Sequence, residues 1–121
     1  MSVYKNQSFR ARLGFALQGL AYGVRAERSL QFQLVAFTAA MAVLGILHPG
    51  ALWWALVLLA SAAVIAAELF NSALERLADE LHLHDHPGIR IVKDCAAAGV
   101  LIAVLGALGV ALALLAHLFG R

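Results

Sequence analysis

Apolar and polar positions fall into long blocks along this chain. No charged residue lies between Arg28 and Glu68, and His48-Pro49-Gly50 interrupts that apolar block near its middle. A membrane-spanning helix needs about 20 mostly apolar residues, so the block predicts two spans, about 29–47 and 51–71. A second uncharged run, from Cys95 to Gly120, predicts a third at about 95–118. Upstream, Phe9, Leu13, Ala16, Leu17, Leu20 and Val24 recur at helical spacing, while Arg10, Gln18 and Arg25 point elsewhere. That pattern predicts a surface helix over about 6–26 lying in the headgroup region. A short helix packed on its own protein is the alternative. The expected fold is an all-α membrane protein, an N-terminal amphipathic surface helix plus three transmembrane helices, in one domain covering 1–121.

Composition agrees. The chain is 63% hydrophobic and 13% charged, where soluble domains average about 45–50% and about 25%. A soluble protein this small has no core large enough to hide so much apolar surface. The first 28 residues are too polar for the apolar core of a secretory signal, so the first span is expected to be retained. Cys95 is the lone cysteine and has no internal disulfide partner; it is expected to open the third helix as a small packing residue. Gly99, Ala103, Ala107 and Ala111 recur every four residues, as do Ala62/Ala66 and Ala63/Ala67. Such stripes let helices approach closely in lipid, and a thin bundle of three spans is expected to self-associate.

Charge placement sets an orientation. Lys5, Arg10, Arg12, Arg25 and Arg28 precede the first span, Arg76, Arg90 and Lys93 surround the second connection, and the first connection carries no Lys or Arg. The positive-inside rule puts the N-terminus and 76–94 in the cytoplasm and the C-terminus outside. Trp53 and Trp54 then fall at the outer interface. The five N-terminal cations are ordinary topology signals that also attract anionic lipid; no nucleic-acid partner is expected. His82-Leu83-His84-Asp85-His86-Pro87-Gly88 reads as a cytoplasmic turn, with Pro87 and Gly88 as helix stops. Its three histidines could hold zinc, but a solvated turn is the better reading.

The chemistry concentrates on one helix face. Glu68 follows Val64-Ile65-Ala66-Ala67 at the inner end of an apolar span, and a carboxylate there is a functional candidate by default. Glu68, Asn71, Glu75 and Asp79 share an arc of about 80° on an ideal helix, with Glu68 and Glu75 about 10 Å apart along the axis. One ion cannot easily take both, so two roles along one groove are expected. Carboxylates and an amide carbonyl are hard ligands suited to magnesium, which pairs one or two carboxylates with substrate phosphates. Lys93 and Arg90, across the turn, could neutralise such phosphates, and Glu68 could take a proton from an alcohol. Phosphoryl transfer needs mostly positioning and charge neutralisation. No glycine-rich phosphate loop is present. A merely solvated helix end would explain Asp79 and Glu80 but explains Glu68 poorly. Two other readings stand beside a kinase: a small oligomeric transport or ion-conducting protein using Glu68, and a non-catalytic assembly protein using only the small-residue stripes.

The string Glu68-Leu69-Phe70-Asn71-Ser72-Ala73-Leu74-Glu75-Arg76-Leu77-Ala78-Asp79 resembles the E-x-x-N-[ST]-A-[IL]-E-x-x-x-D signature of the prokaryotic diacylglycerol kinase family, which includes undecaprenol kinases. His86-Pro87, followed by Lys93-Asp94-Cys95-Ala96-Ala97-Ala98-Gly99-Val100, resembles that family's second block, and Glu27 matches its acidic residue before the first span. The resemblance implies a homotrimer in a bacterial cytoplasmic (inner) membrane, with active sites shared between subunits. It implies transfer of the γ-phosphate of MgATP to a lipid hydroxyl, either diacylglycerol or undecaprenol. Glu68 matches the general base, and Glu27 and Glu75 match the metal–nucleotide carboxylates. Asn71, Lys93 and Asp94 match polar residues of the nucleotide site, with Lys93 on ATP phosphate. Asp79 and His86 match further nucleotide-side positions. Gln31 and Gln33 stand where diacylglycerol-specific members carry an acidic residue nearby, and Ala96-Ala97 replaces their Gly-Ser pair. His86-Pro87 and the Ala-rich block look more like undecaprenol kinases.

Overall fold

The computed structural model describes residues 6–81 and 86–120. They form four helices: α1 (Phe9–Ala26), α2 (Arg28–Leu47), α3 (Ala51–Leu81) and α4 (Pro87–Phe119). The last three are long and apolar enough to cross a membrane. Ser8 starts α1 by accepting the Ala11 backbone N–H on its hydroxyl at 3.2 Å, a standard N-cap that satisfies one orphan donor of the first turn.

Helix lengths place the site. At about 1.5 Å per residue, the 20 residues of α2 match a hydrocarbon core of about 30 Å. The 31 residues of α3 and 33 of α4 overrun it by about 15–20 Å. The overrun of α3 lies at its C-terminal end, beside α1, because α2 and α3 meet at the opposite end through His48-Pro49-Gly50. His48 adopts the left-handed conformation (φ 48°) and Gly50 sits at φ 115°. The expected span of 51–71 is thus the N-terminal part of a helix that runs ten residues further, to Leu81.

The start of α4 corrects one expectation. Pro87 and Gly88 do not stop a helix; they open one. Proline suits the first helical position, where its missing N–H would be unbonded anyway, and His86 Nδ1 accepts the Gly88 N–H at 3.0 Å as the cap. Cys95 consequently lies inside α4, exposed, and does not begin it. His82, His84 and Asp85 lie outside the described residues.

Packing is centred on α3, with α4 laid along it most extensively and α2 beside it. Leu44, Val57 and Leu114 bury against one another near the α2–α3 turn, with Trp53 and Trp54 packed on them. Trp53 also meets the His117 ring at 5.3 Å between centroids. Toward the middle, α2, α3 and α4 leave an apolar cleft of about 400 Å³, in which Gln33 and Ser61 are the polar residues. The α1 helix meets the bundle near its C-terminal end. Gly23 is buried there, so close that a Cβ would sit 2.8 Å from Leu69 Cδ2 and 2.9 Å from Leu30 Cδ2. Glycine lets these two leucines close over the α1 backbone without either having to shift. Phe9 and Leu17, by contrast, stay exposed in this single chain.

Candidate functional site

The short α1–α2 junction creates the first part of the site. Glu27 is its single non-helical residue (φ −112°, ψ 115°), the C-cap of α1 and the N-cap position of α2. Its backbone N–H donates to Gly23 O at 2.9 Å, and its carbonyl accepts from Gln31 N at 3.2 Å. Gln31 Nε2 also donates to Val24 O at 2.8 Å, so backbone and side chain together hold the bend. The Glu27 carboxylate makes no capping hydrogen bond to α2. Glu27 lines a groove of about 760 Å³ between α1 and the overrun of α3.

Along α3 the groove is lined by Ser72, Glu75, Arg76, Asp79 and Glu80, and from α1 by Tyr22 and Gly23. Glu27 and Glu75 therefore share one cavity although they are far apart in sequence. Arg76 Nη1 donates to Tyr22 Oη, and its guanidinium carbon lies 5.4 Å from the centre of the Tyr22 ring. Hydrogen bond and cation–π contact together pin α1 over α3. Lys93 Nζ donates to Asp79 Oδ1 at 2.7 Å, which closes the groove's rim against α4.

The four-residue stripe on α3 is divided by its neighbours. Glu75 and Asp79 open to the groove, whereas Glu68 is buried at 6% exposure. Ser29 Oγ, from the first turn of α2, donates to Glu68 Oε2 at 2.9 Å. Asn71 is half-buried and its Oδ1 has no hydrogen-bond partner. The reason is geometric. Glu68 and Glu75 lie about 10 Å apart along the helix axis, far enough for α2 to cover the first while α1 bridges over the second. Asp94 is exposed and lines neither cavity, and His86 serves as the cap of α4.

Among the described residues, no three His, Cys, Asp or Glu side chains converge as a metal cage. Magnesium with a nucleotide does not require one, since one or two carboxylates suffice when phosphates supply the remaining oxygens. The donor set in the groove, Glu27 with Glu75, fits that demand. Ser29, beside Glu68, and Tyr22 and Arg76, lining the groove, are neighbours of the candidate site that the sequence pattern does not single out. A serine opening an apolar run looks like a cap, and Arg76 reads as a topology signal.

Comparison with known proteins gives the same region a context. The sequence profile described as prokaryotic diacylglycerol kinase matches residues 14–115, which include Glu27, the whole α3 stripe, Lys93 and Asp94. A protein of Synechocystis named diacylglycerol kinase is 32% identical over 94 residues, 77% of this chain. The chain spans about half the length of that relative, 54%.

Proposed function

The chain belongs to the prokaryotic diacylglycerol kinase family, and on that premise we propose that it is a lipid kinase, moving the γ-phosphate of MgATP to the hydroxyl of a membrane lipid. The observation that carries this reading is the adjacency of two environments along α3. Glu27 and Glu75 face an open groove at the overrun of the bundle, while Glu68, two helical turns nearer the membrane core, is buried. A water-soluble donor and a lipid acceptor meet naturally at such a step.

In this reading Glu27 and Glu75 hold the magnesium ion, which supplies charge neutralisation on the phosphates. Glu68 accepts the proton of the lipid hydroxyl as the oxygen attacks. Arg76 and Lys93 provide the cationic side of the nucleotide site, with Asn71, Asp79, Asp94 and His86 at its margins. Asp94 lines neither cavity of its own subunit, which supports a site completed by a neighbouring copy, in the homotrimer that the family resemblance implies. The positive-inside rule puts the groove on the cytoplasmic side of a bacterial inner membrane. The exposed apolar stripe of α1 supports a helix lying in the headgroup region. The lipid is diacylglycerol or undecaprenol.

An ion-conducting role draws no support from the bundle. The apolar cleft offers only Gln33 and Ser61 as polar residues, and a conduction path needs rings of polar or charged groups. The deciding experiment is transfer of labelled phosphate from ATP to diacylglycerol and to undecaprenol, side by side in mixed micelles with folded protein. Transfer to one lipid at least tenfold faster than to the other names the substrate; transfer to neither refutes the kinase reading.

A further inference from the structure

A general base that works once per turnover must also lose the proton it gains. Glu68 is 6% exposed, and the residues just before it, from Val64 to Ala67, offer no side-chain donor or acceptor. The hydroxyl that reaches it is Ser29 Oγ, at 2.9 Å from Oε2. Ser29 is itself an exposed residue, one step inside the start of α2 and beside the bend at Glu27. It is the side chain that joins a buried carboxylate to the outside. Asn71, one turn along α3, lacks this ability: an amide offers only acceptor oxygen and non-acidic N–H groups.

A hydroxyl can both donate and accept. Resting on the lipid kinase reading, we propose that Ser29 is the positioning and proton-relay residue of Glu68. Bonded to Oε2, it leaves Oε1 for the lipid hydroxyl. In the transfer step the lipid O–H bond breaks and its proton passes to Glu68. A bond forms between the lipid oxygen and the γ-phosphorus, and the bond from that phosphorus to the β–γ bridging oxygen breaks, with its electrons leaving on ADP. A half-turn about Cγ–Cδ, a broad and roughly two-fold torsion, then brings the carboxyl proton to Ser29. Ser29 Oγ accepts it and releases its own proton to water, and the original hydrogen bond re-forms. The balance requires only the two substrates and water.

The test begins with wild-type turnover, because absence of any lipid phosphorylation would refute the kinase reading itself. Given an active wild type, Ser29→Ala is expected to lower kcat by about tenfold to hundredfold, with KM for ATP and for lipid changed less than about twofold. Its solvent deuterium isotope effect on kcat should exceed that of the wild type, since proton release becomes limiting. Ser29→Thr, which keeps the hydroxyl, should recover most of the loss. Should Ser29→Ala fail to fold, Ser29→Cys, similar in size and a weaker hydrogen-bonding group, carries the same comparison. Wild-type kcat in Ser29→Ala overturns the proposal. So does a rise in KM for ATP at constant kcat, or a Thr variant as slow as the Ala variant at equal thermal stability.

Discussion

Lys93 Nζ and Asp79 Oδ1 meet at 2.7 Å, tying the third span to the second beside the groove. Their side chains are 38% and 67% exposed, so the pair contributes no more than about 1 kcal/mol to stability. Its importance is where it holds the ammonium group. Lys93→Ala is expected to raise KM for ATP by about tenfold, the loss of one charge-assisted contact, with little change in thermal stability in detergent. Exchanging the two charges, Asp79→Lys with Lys93→Asp, should keep the stability and not the activity. Equal KM values in Lys93→Ala and wild type would remove Lys93 from the nucleotide site.

Glu68 and Glu75 should separate cleanly in kinetics. Glu68→Gln preserves shape and removes the base, so turnover should fall by about 10²–10⁴-fold while nucleotide binding, followed by a fluorescent ATP analogue, survives. Near-wild-type turnover in Glu68→Gln would reject the base assignment.

Glu75→Gln should instead raise the magnesium concentration required for half-maximal rate, and Glu27→Gln should do the same. Because the Glu27 carboxylate does not cap α2, Glu27→Gln is expected to leave the melting temperature unchanged. A large loss of stability would mean that Glu27 serves the bend and not the ion.

Much of this was legible in the chain. Three apolar blocks announce three spans, because lipid rewards nothing else at that length, and Glu68 is conspicuous because a carboxylate so close to such a block is costly. The division of the stripe was not legible. Glu68 and Glu75 have the same spacing whether α2 covers one of them or neither, and only the bend at Glu27 decides it. The Tyr22–Arg76 pair joins residues 54 positions apart on different helices, which periodicity within one helix does not report. Pro87 misled for a related reason. Proline ends a helix that precedes it and starts one that follows, and a Pro-Gly pair between two apolar blocks is compatible with both uses.

Tyr22 and Arg76 give a separate test of how α1 is held. Tyr22→Phe keeps the ring under the guanidinium and loses the hydrogen bond; Tyr22→Ala loses both. Each contact is worth about 1 kcal/mol at a partly exposed site, so the Ala variant should lose roughly twice as much. Limited proteolysis at the α1–α2 bend reports that loss, with cleavage faster in Tyr22→Ala than in Tyr22→Phe and slowest in the wild type. Equal rates in all three would show that α1 is held elsewhere.

Gly23 also sets how closely α1 lies on the bundle. A methyl group there would press on Leu69 Cδ2 and Leu30 Cδ2, both outer ends of side chains that can yield by a rotamer adjustment. Alanine also favours a helix over glycine by about 1 kcal/mol, which offsets the crowding. Gly23→Ala is therefore expected to be close to neutral. Gly23→Leu has no such relief. Leu30 is 1% exposed and can give by only a small shift, so the larger side chain must lift α1 off α3 and widen the groove. Overpacking of this kind costs about 1–3 kcal/mol. The expected outcome is a protein that keeps its three spans, melts earlier, and binds nucleotide weakly because Glu27 no longer stands across from Glu75. Circular dichroism with nucleotide titration checks it. Wild-type nucleotide affinity in Gly23→Leu would show that the groove does not depend on how closely α1 lies against α3.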